Sequence, residues 1–84
     1  MLYYLIVCRS LTYAQRTAAA LERTGISART LRSPKSVSSE GCSHCVRVAH
    51  KDLNMALTVL HHAGLSPKRV FEAQRDGSYT EIPI

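Results

Sequence analysis

Cys42-Ser43-His44-Cys45 is the stretch whose residue types and spacing could do chemistry. Two thiols with two residues between them allow one to attack a bond made by the other, as redox and sulfur-transfer reactions require. The same spacing is half of a common zinc site. It also fits two small packed hydrophobes, since free cysteines are often buried. Cys42 argues against packing alone, because it follows the polar run Ser38-Ser39-Glu40-Gly41 and reads as exposed. A closed zinc site needs four ligands, and the chain has no second C-x-x-C. Cys8, Cys42 and Cys45 form the alternative metal set. His44 fits it poorly, because neighbours on a strand point to opposite faces, and His50 lies further along the chain. His61 and His62 read as helix-end residues that complement the dipole. No cofactor is expected.

The chain has 84 residues, 45% of them hydrophobic, and reads as one small domain over 1–84 with a tail at 79–84. No apolar run reaches the roughly 20 residues that span a bilayer, so no membrane contact is expected. Leu2 to Cys8 is apolar but lacks a preceding basic segment and a cleavage site, so it reads as a strand rather than a signal. Three cysteines are an odd number for a disulfide scaffold and point to a reducing cytoplasm. The net charge of +5 permits an anionic partner, but the arginines are scattered. The expected third strand also lacks the aromatics of sheet-based RNA readers, so nucleic acid is not the expected partner.

The elements that must position the cysteines follow from pattern. Leu2 to Arg9 reads as a central strand, apolar on both faces. Thr12 with Gln15 fits a capping box for a helix over Tyr13 to Thr24, with Ala14, Ala18 and Leu21 on one face and Gly25 as its left-handed stop. Ile26 to Leu31 reads as an edge strand, and Arg32 to Gly41 as a mobile loop whose apolar residue is Val37. His44 to Val48 reads as a strand with Val46 and Val48 on one face and Cys45 and Arg47 on the other. Leu53, Ala56, Leu57 and Leu60 make the stripe of a second helix, with Asp52 in its first turn. Gly64, Leu65 and Pro67 close that helix. Arg69 to Gln74 reads as a fourth strand, Asp76-Gly77 as a turn, and Tyr79 to Ile84 as a tail or short extra strand.

The order β-α-β-β-α-β predicts an α+β, ferredoxin-like sandwich. Its four-stranded antiparallel sheet would run 4-1-3-2, with both helices on one face. Pairing Cys8 with Cys45 would put Leu5, Val7, Val46 and Val48 on the helix-covered face. Cys8, Cys45, Arg47, Tyr4 and Ile6 would then share the other face, and the three cysteines would meet at one corner. The first helix would start there, close to Thr12, and its N-terminus with Arg47 could lower a thiol pKa. Uncovered Tyr4 and Ile6 would suggest a homodimer contact through the open face, or cover from the tail.

Taken together, Tyr4-Leu5-Ile6-Val7, Arg9-Ser10-Leu11-Thr12, the Pro34 loop, Ser38-Ser39, Cys42, Cys45-Val46-Arg47-Val48 and Asp52-Leu53 with Ala56-Leu57 resemble a family of small bacterial proteins described as selenium/sulfur carrier-like. The resemblance covers about residues 3–63. The chain departs from the family pattern in one extra residue between Ser39 and Cys42, in Ser43 where the family has Gly, and in Ala49 where an acid cap is usual. The resemblance implies that Cys42 is the carrier thiol and Cys45 its neighbour. It implies a sulfur or selenium carrier loaded by a donor protein and emptied by an acceptor protein; the C-x-x-C spacing adds Cys45 as the resolving thiol, and the predicted corner adds Cys8, Arg47 and Thr12 as supporting residues. The alternative is a ferredoxin-like binding or regulatory module without chemistry. A carrier or accessory protein fits better than a self-sufficient enzyme.

Overall fold

A computed structural model describes residues 2–37 and 44–84. Chain order is β1 (Tyr3–Cys8), α1 (Leu11–Arg23), β2 (Ala28–Arg32), β3 (His44–Ala49), a 3-10 turn (His50–Asp52), α2 (Leu53–His62), β4 (Arg69–Ala73) and β5 (Tyr79–Ile82). Among the described residues the fold is α+β, with two α-helices and one antiparallel sheet in the order β2-β3-β1-β4-β5. The first four strands take the expected order. The expectation of a four-stranded sheet is corrected to five strands. Asp76-Gly77 is the cause: Gly77 has φ 90°, and Asp76 Oδ1 accepts from Ser78 N at 2.9 Å. This hairpin returns Tyr79–Ile82 alongside β4, so most of the expected tail is a strand.

α1 starts two residues earlier than its pattern suggests. Ser10 is extended, and its Oγ accepts from Tyr13 N at 3.1 Å. Thr12 is therefore an exposed first-turn residue and not the cap. β1 ends at Cys8, so the chain enters the helix as soon as a hydroxyl can reach a free N–H. Ala14, Thr17, Ala20 and Leu21 form its buried face. Both helices end as expected, in the same closing motif. Gly25 (φ 84°) and Gly64 (φ 71°) take the left-handed residue, while Ile26 N bonds Leu21 O and Leu65 N bonds Leu60 O.

β1 carries the fold. Leu5, Ile6, Val7 and Cys8 are each at most 1% exposed, so the strand is buried on both faces. On the helix-covered face, Ile6, Cys8, Val46, Val48 and Val70 pack with Leu21, Ala56 and Leu60. On the opposite face, Leu5, Val7, Cys45 and Phe71 pack with Val37, flanked by Tyr3, Leu31 and Tyr79.

The expected pairing of Cys8 with Cys45 is corrected by one residue. Val7 opposes Cys45, Cys8 opposes His44, and Ile6 opposes Val46. A slip of one flips every side chain of a strand to the other face. Tyr4, Ile6 and Cys8 therefore lie toward the helices, and Leu5 and Val7 away from them. β1 is apolar on both faces, so its own pattern does not choose. The neighbours choose: β3 and β4 present Val46, Val48 and Val70 to the helices. With Ile6 and Tyr4 on the helix side, the stated reason for a homodimer through the open face disappears. The large exposed apolar residues among those described, Leu11, Met55 and Ile84, are on other parts of the surface.

Candidate functional site

Cys42, Ser43 and the rest of 38–43 lie outside the described residues. The site is therefore built from what flanks them, the segment 33–37 and the start of β3. Cys45 is the second residue of β3 and is fully buried on the open face. The alternation that places it there is the one read from sequence. Val37, 2% exposed, packs in the same cluster. Its backbone N bonds Pro34 O at 3.0 Å, which folds 33–37 into a turn. The apolar residue of an otherwise polar loop thus anchors that loop on the sheet.

Cys45 is a free thiol. Burial pushes its pKa up, and the Ser33 hydroxyl pulls weakly the other way. Ser33 is itself 9% exposed, and among the described residues its Oγ forms no hydrogen bond of good geometry. Burial removes the water that would stabilise the thiolate, and this outweighs the Ser33 hydroxyl. At neutral pH Cys45 is a protonated, shielded thiol. The expected activation by a helix N-terminus does not operate on it, because α1 lies on the other side of the sheet.

Cys8 is on that other side. Its Sγ contacts Ile6 O at 3.6 Å and Thr17 Oγ1 at 3.9 Å, within the helix-covered core. The expectation that Cys8 and Cys45 meet at one corner is therefore corrected: the sheet separates their side chains. The alternative zinc set of Cys8, Cys42 and Cys45 fails for the same reason, since Cys8 and Cys45 cannot reach one ion from opposite faces. Among the described residues no group of three or more metal-ligating side chains converges. His44 and Cys45 do point to opposite faces, as adjacent strand residues must.

Arg47 shares the open face with Cys45, one alternation along β3, and its guanidinium lies 4.0 Å from the centre of the Tyr3 ring. Tyr3 OH and Tyr79 OH are 3.0 Å apart. That hydrogen bond, with burial second, raises the Tyr79 pKa. Ser33, Tyr3 and Tyr79 have no place in the sequence-derived set. Tyr79 enters through the fifth strand and Tyr3 through the corrected register. The signal that could have found Ser33 is its position just after an edge strand that pairs with β3.

No helix among the described residues is long and apolar enough to cross a membrane. No curated protein and no solved structure matches the chain. One family model matches residues 3–72, from β1 into β4, and so covers both cysteines of the C-x-x-C. By that match the chain belongs to the family described as "Putative Se/S carrier protein-like".

Proposed function

We propose that this protein carries sulfur or selenium on Cys42 as a persulfide or selenosulfide, with Cys45 as the resolving thiol. The observation that carries the reading is the family match over residues 3–72. In loading, the Cys42 thiolate attacks the outer sulfur of a donor enzyme's persulfide. The donor S–S bond breaks, the donor leaves as a thiolate, and Cys42 holds S–S⁻. An acceptor protein can take the outer atom by the same exchange, which returns Cys42 as a thiolate. Without an acceptor, Cys45 attacks the inner sulfur. A Cys42–Cys45 disulfide forms, and the outer sulfur departs as HS⁻ with the proton of the Cys45 thiol. A dithiol reductant then restores both cysteines.

The surroundings of Cys45 suit a resolving thiol that is held back. Buried and protonated beneath Val37, it does not discharge the cargo until the 33–37 segment lifts. Carriage with no self-sufficient turnover fits this arrangement, as does a reducing compartment.

The test is cyanide-releasable sulfur or selenium after incubation with a cysteine desulfurase or selenocysteine lyase. Wild type loads, Cys42→Ser does not, and Cys45→Ser loads but fails to liberate sulfide in the absence of an acceptor. Equal loading of Cys42→Ser and wild type would overturn the reading, as would a wild type that takes up no chalcogen from either enzyme.

A further inference from the structure

Arg29 on β2 stands directly opposite Arg47 on β3, and both are exposed on the open face of the sheet. Like charges at opposed positions of an antiparallel pair repel at a Cβ separation of about 5 Å. Neither arginine has a carboxylate partner among the described residues. Glu22, at the end of α1, accepts from Ala28 N at 2.8 Å, and Glu72 and Glu81 stand away on β4 and β5, where they meet His50 and Arg69. Arg47 is nevertheless held in place, stacked on Tyr3, whose hydroxyl is bonded to Tyr79. Both arginines line a cavity of about 270 Å³, which Ser27, Tyr3, Leu2 and Ala49 complete.

Two guanidinium groups with no carboxylate partner among the described residues, at a small cavity that Ser27 also lines, make the donor set of an oxyanion site. Each guanidinium offers a planar fork that matches two oxygens of a tetrahedral anion, and a dianion would cancel their mutual repulsion. We propose that Arg29, Arg47 and Ser27 bind a phosphate-sized oxyanion, either free or as the phosphoryl group of a small molecule. This goes beyond the carrier reading and does not rest on it. The repulsion also gives the site a signature that a general basic surface lacks. Removing one arginine relieves repulsion in the unliganded protein and weakens binding in the same step.

The experiment is thermal unfolding in low-millimolar inorganic phosphate against chloride at equal ionic strength, with an amide chemical-shift titration of the wild type. Wild type is expected to melt higher in phosphate, with shifts centred on Ser27, Arg29, Arg47 and Tyr3. Arg29→Gln is expected to melt at or above wild type in chloride, to lose the phosphate response, and to bind about tenfold more weakly. Arg23→Gln, on the last turn of α1, should behave as wild type toward phosphate. Three results would overturn the proposal: no rise in wild type beyond chloride, a rise that Arg29→Gln retains, or shifts dispersed over all arginines. The shift titration needs no variant and so stands even if one misfolds.

Discussion

The two faces of the sheet bury their side chains equally and hold that burial by different means. Ile6 and Cys8 on one face and Leu5 and Cys45 on the other are all at most 1% exposed. Two helices cover the first face, each closed at its C-terminus by a left-handed glycine, with small residues such as Ala14, Ala20 and Ala56 at the contact. Among the described residues the second face has no helix on it and is packed by Val37 from a short turn, with Tyr3, Leu31 and Tyr79 against the same cluster. Static exposure therefore does not distinguish Cys8 from Cys45, but the size of the unit that must open does. Uncovering Cys8 requires displacing α1, a large part of the core, and so approaches global unfolding. No helix packs over Cys45 among the described residues, where its cover is the 33–37 turn with the side chains of Tyr3, Leu31 and Tyr79, so its opening involves a smaller unit of lower free energy. Cys8 belongs to the packing, and on the proposed reading Cys45 is the thiol kept in reserve.

The largest effect expected is on the helix-covered side. Leu21→Ala empties a fully buried site on α1 and should lower stability by about 3 kcal/mol, read from the urea midpoint. Val37→Ala removes about two methylene equivalents from the open face, worth about 1.5 kcal/mol at most because the turn can settle. Its main effect is on chemistry. In a Cys42→Ser background, Cys45 should react with a thiol reagent at least about tenfold faster, while Cys8 labelling keeps pace with global stability. If Cys8 and Cys45 label at one common rate, both open only by global unfolding and the contrast between the faces is wrong.

Ser10→Ala should cost about 1 kcal/mol by removing the cap of α1, whereas Thr12→Ala should change stability by no more than a few tenths. A reversed order in thermal melts would return the cap to Thr12 and shift the entry of the helix that covers Cys8.

The smallest effects are on the dependence of stability on pH. Glu72, at the edge of the helix-covered side, has its pKa lowered by Gln74 first and then by His50. Glu81, on the open side, has its pKa lowered chiefly by Arg69. A depressed carboxyl contributes stability above its ordinary value of 4.5, and that contribution is lost as pH falls through the folded pKa. Both faces should therefore loosen in acid, and Glu72→Gln or Glu81→Gln should each flatten the decline. Cys45 has the opposite sign. A raised thiol contributes stability fully below the ordinary 9.0 and loses it as pH rises through the folded value. Urea unfolding in mild alkali should show wild type losing stability that Cys45→Ala retains.

Much of the fold was legible because its signals are local. Gly25, Gly64 and Leu65 mark helix ends, since a left-handed residue and a following apolar contact are needed wherever a helix stops against a core. The stripe Leu53, Ala56 and Leu60 faces the core as its spacing requires. The alternation in β3 separates Val46 and Val48 from Cys45 and Arg47 before any partner is known. Of the candidate site, the C-x-x-C itself and the open-face position of Cys45 were readable in this way. The tertiary structure alone decided the pairing of β1. A strand apolar on both faces carries no internal penalty for slipping by one residue, so the choice depends on the summed packing against β3, β4 and two helices. That one-residue difference sends Cys8 to the helices, on the opposite face of the sheet from Cys45. It also leaves Arg47 beside Tyr3, at a distance in sequence over which no local pattern acts.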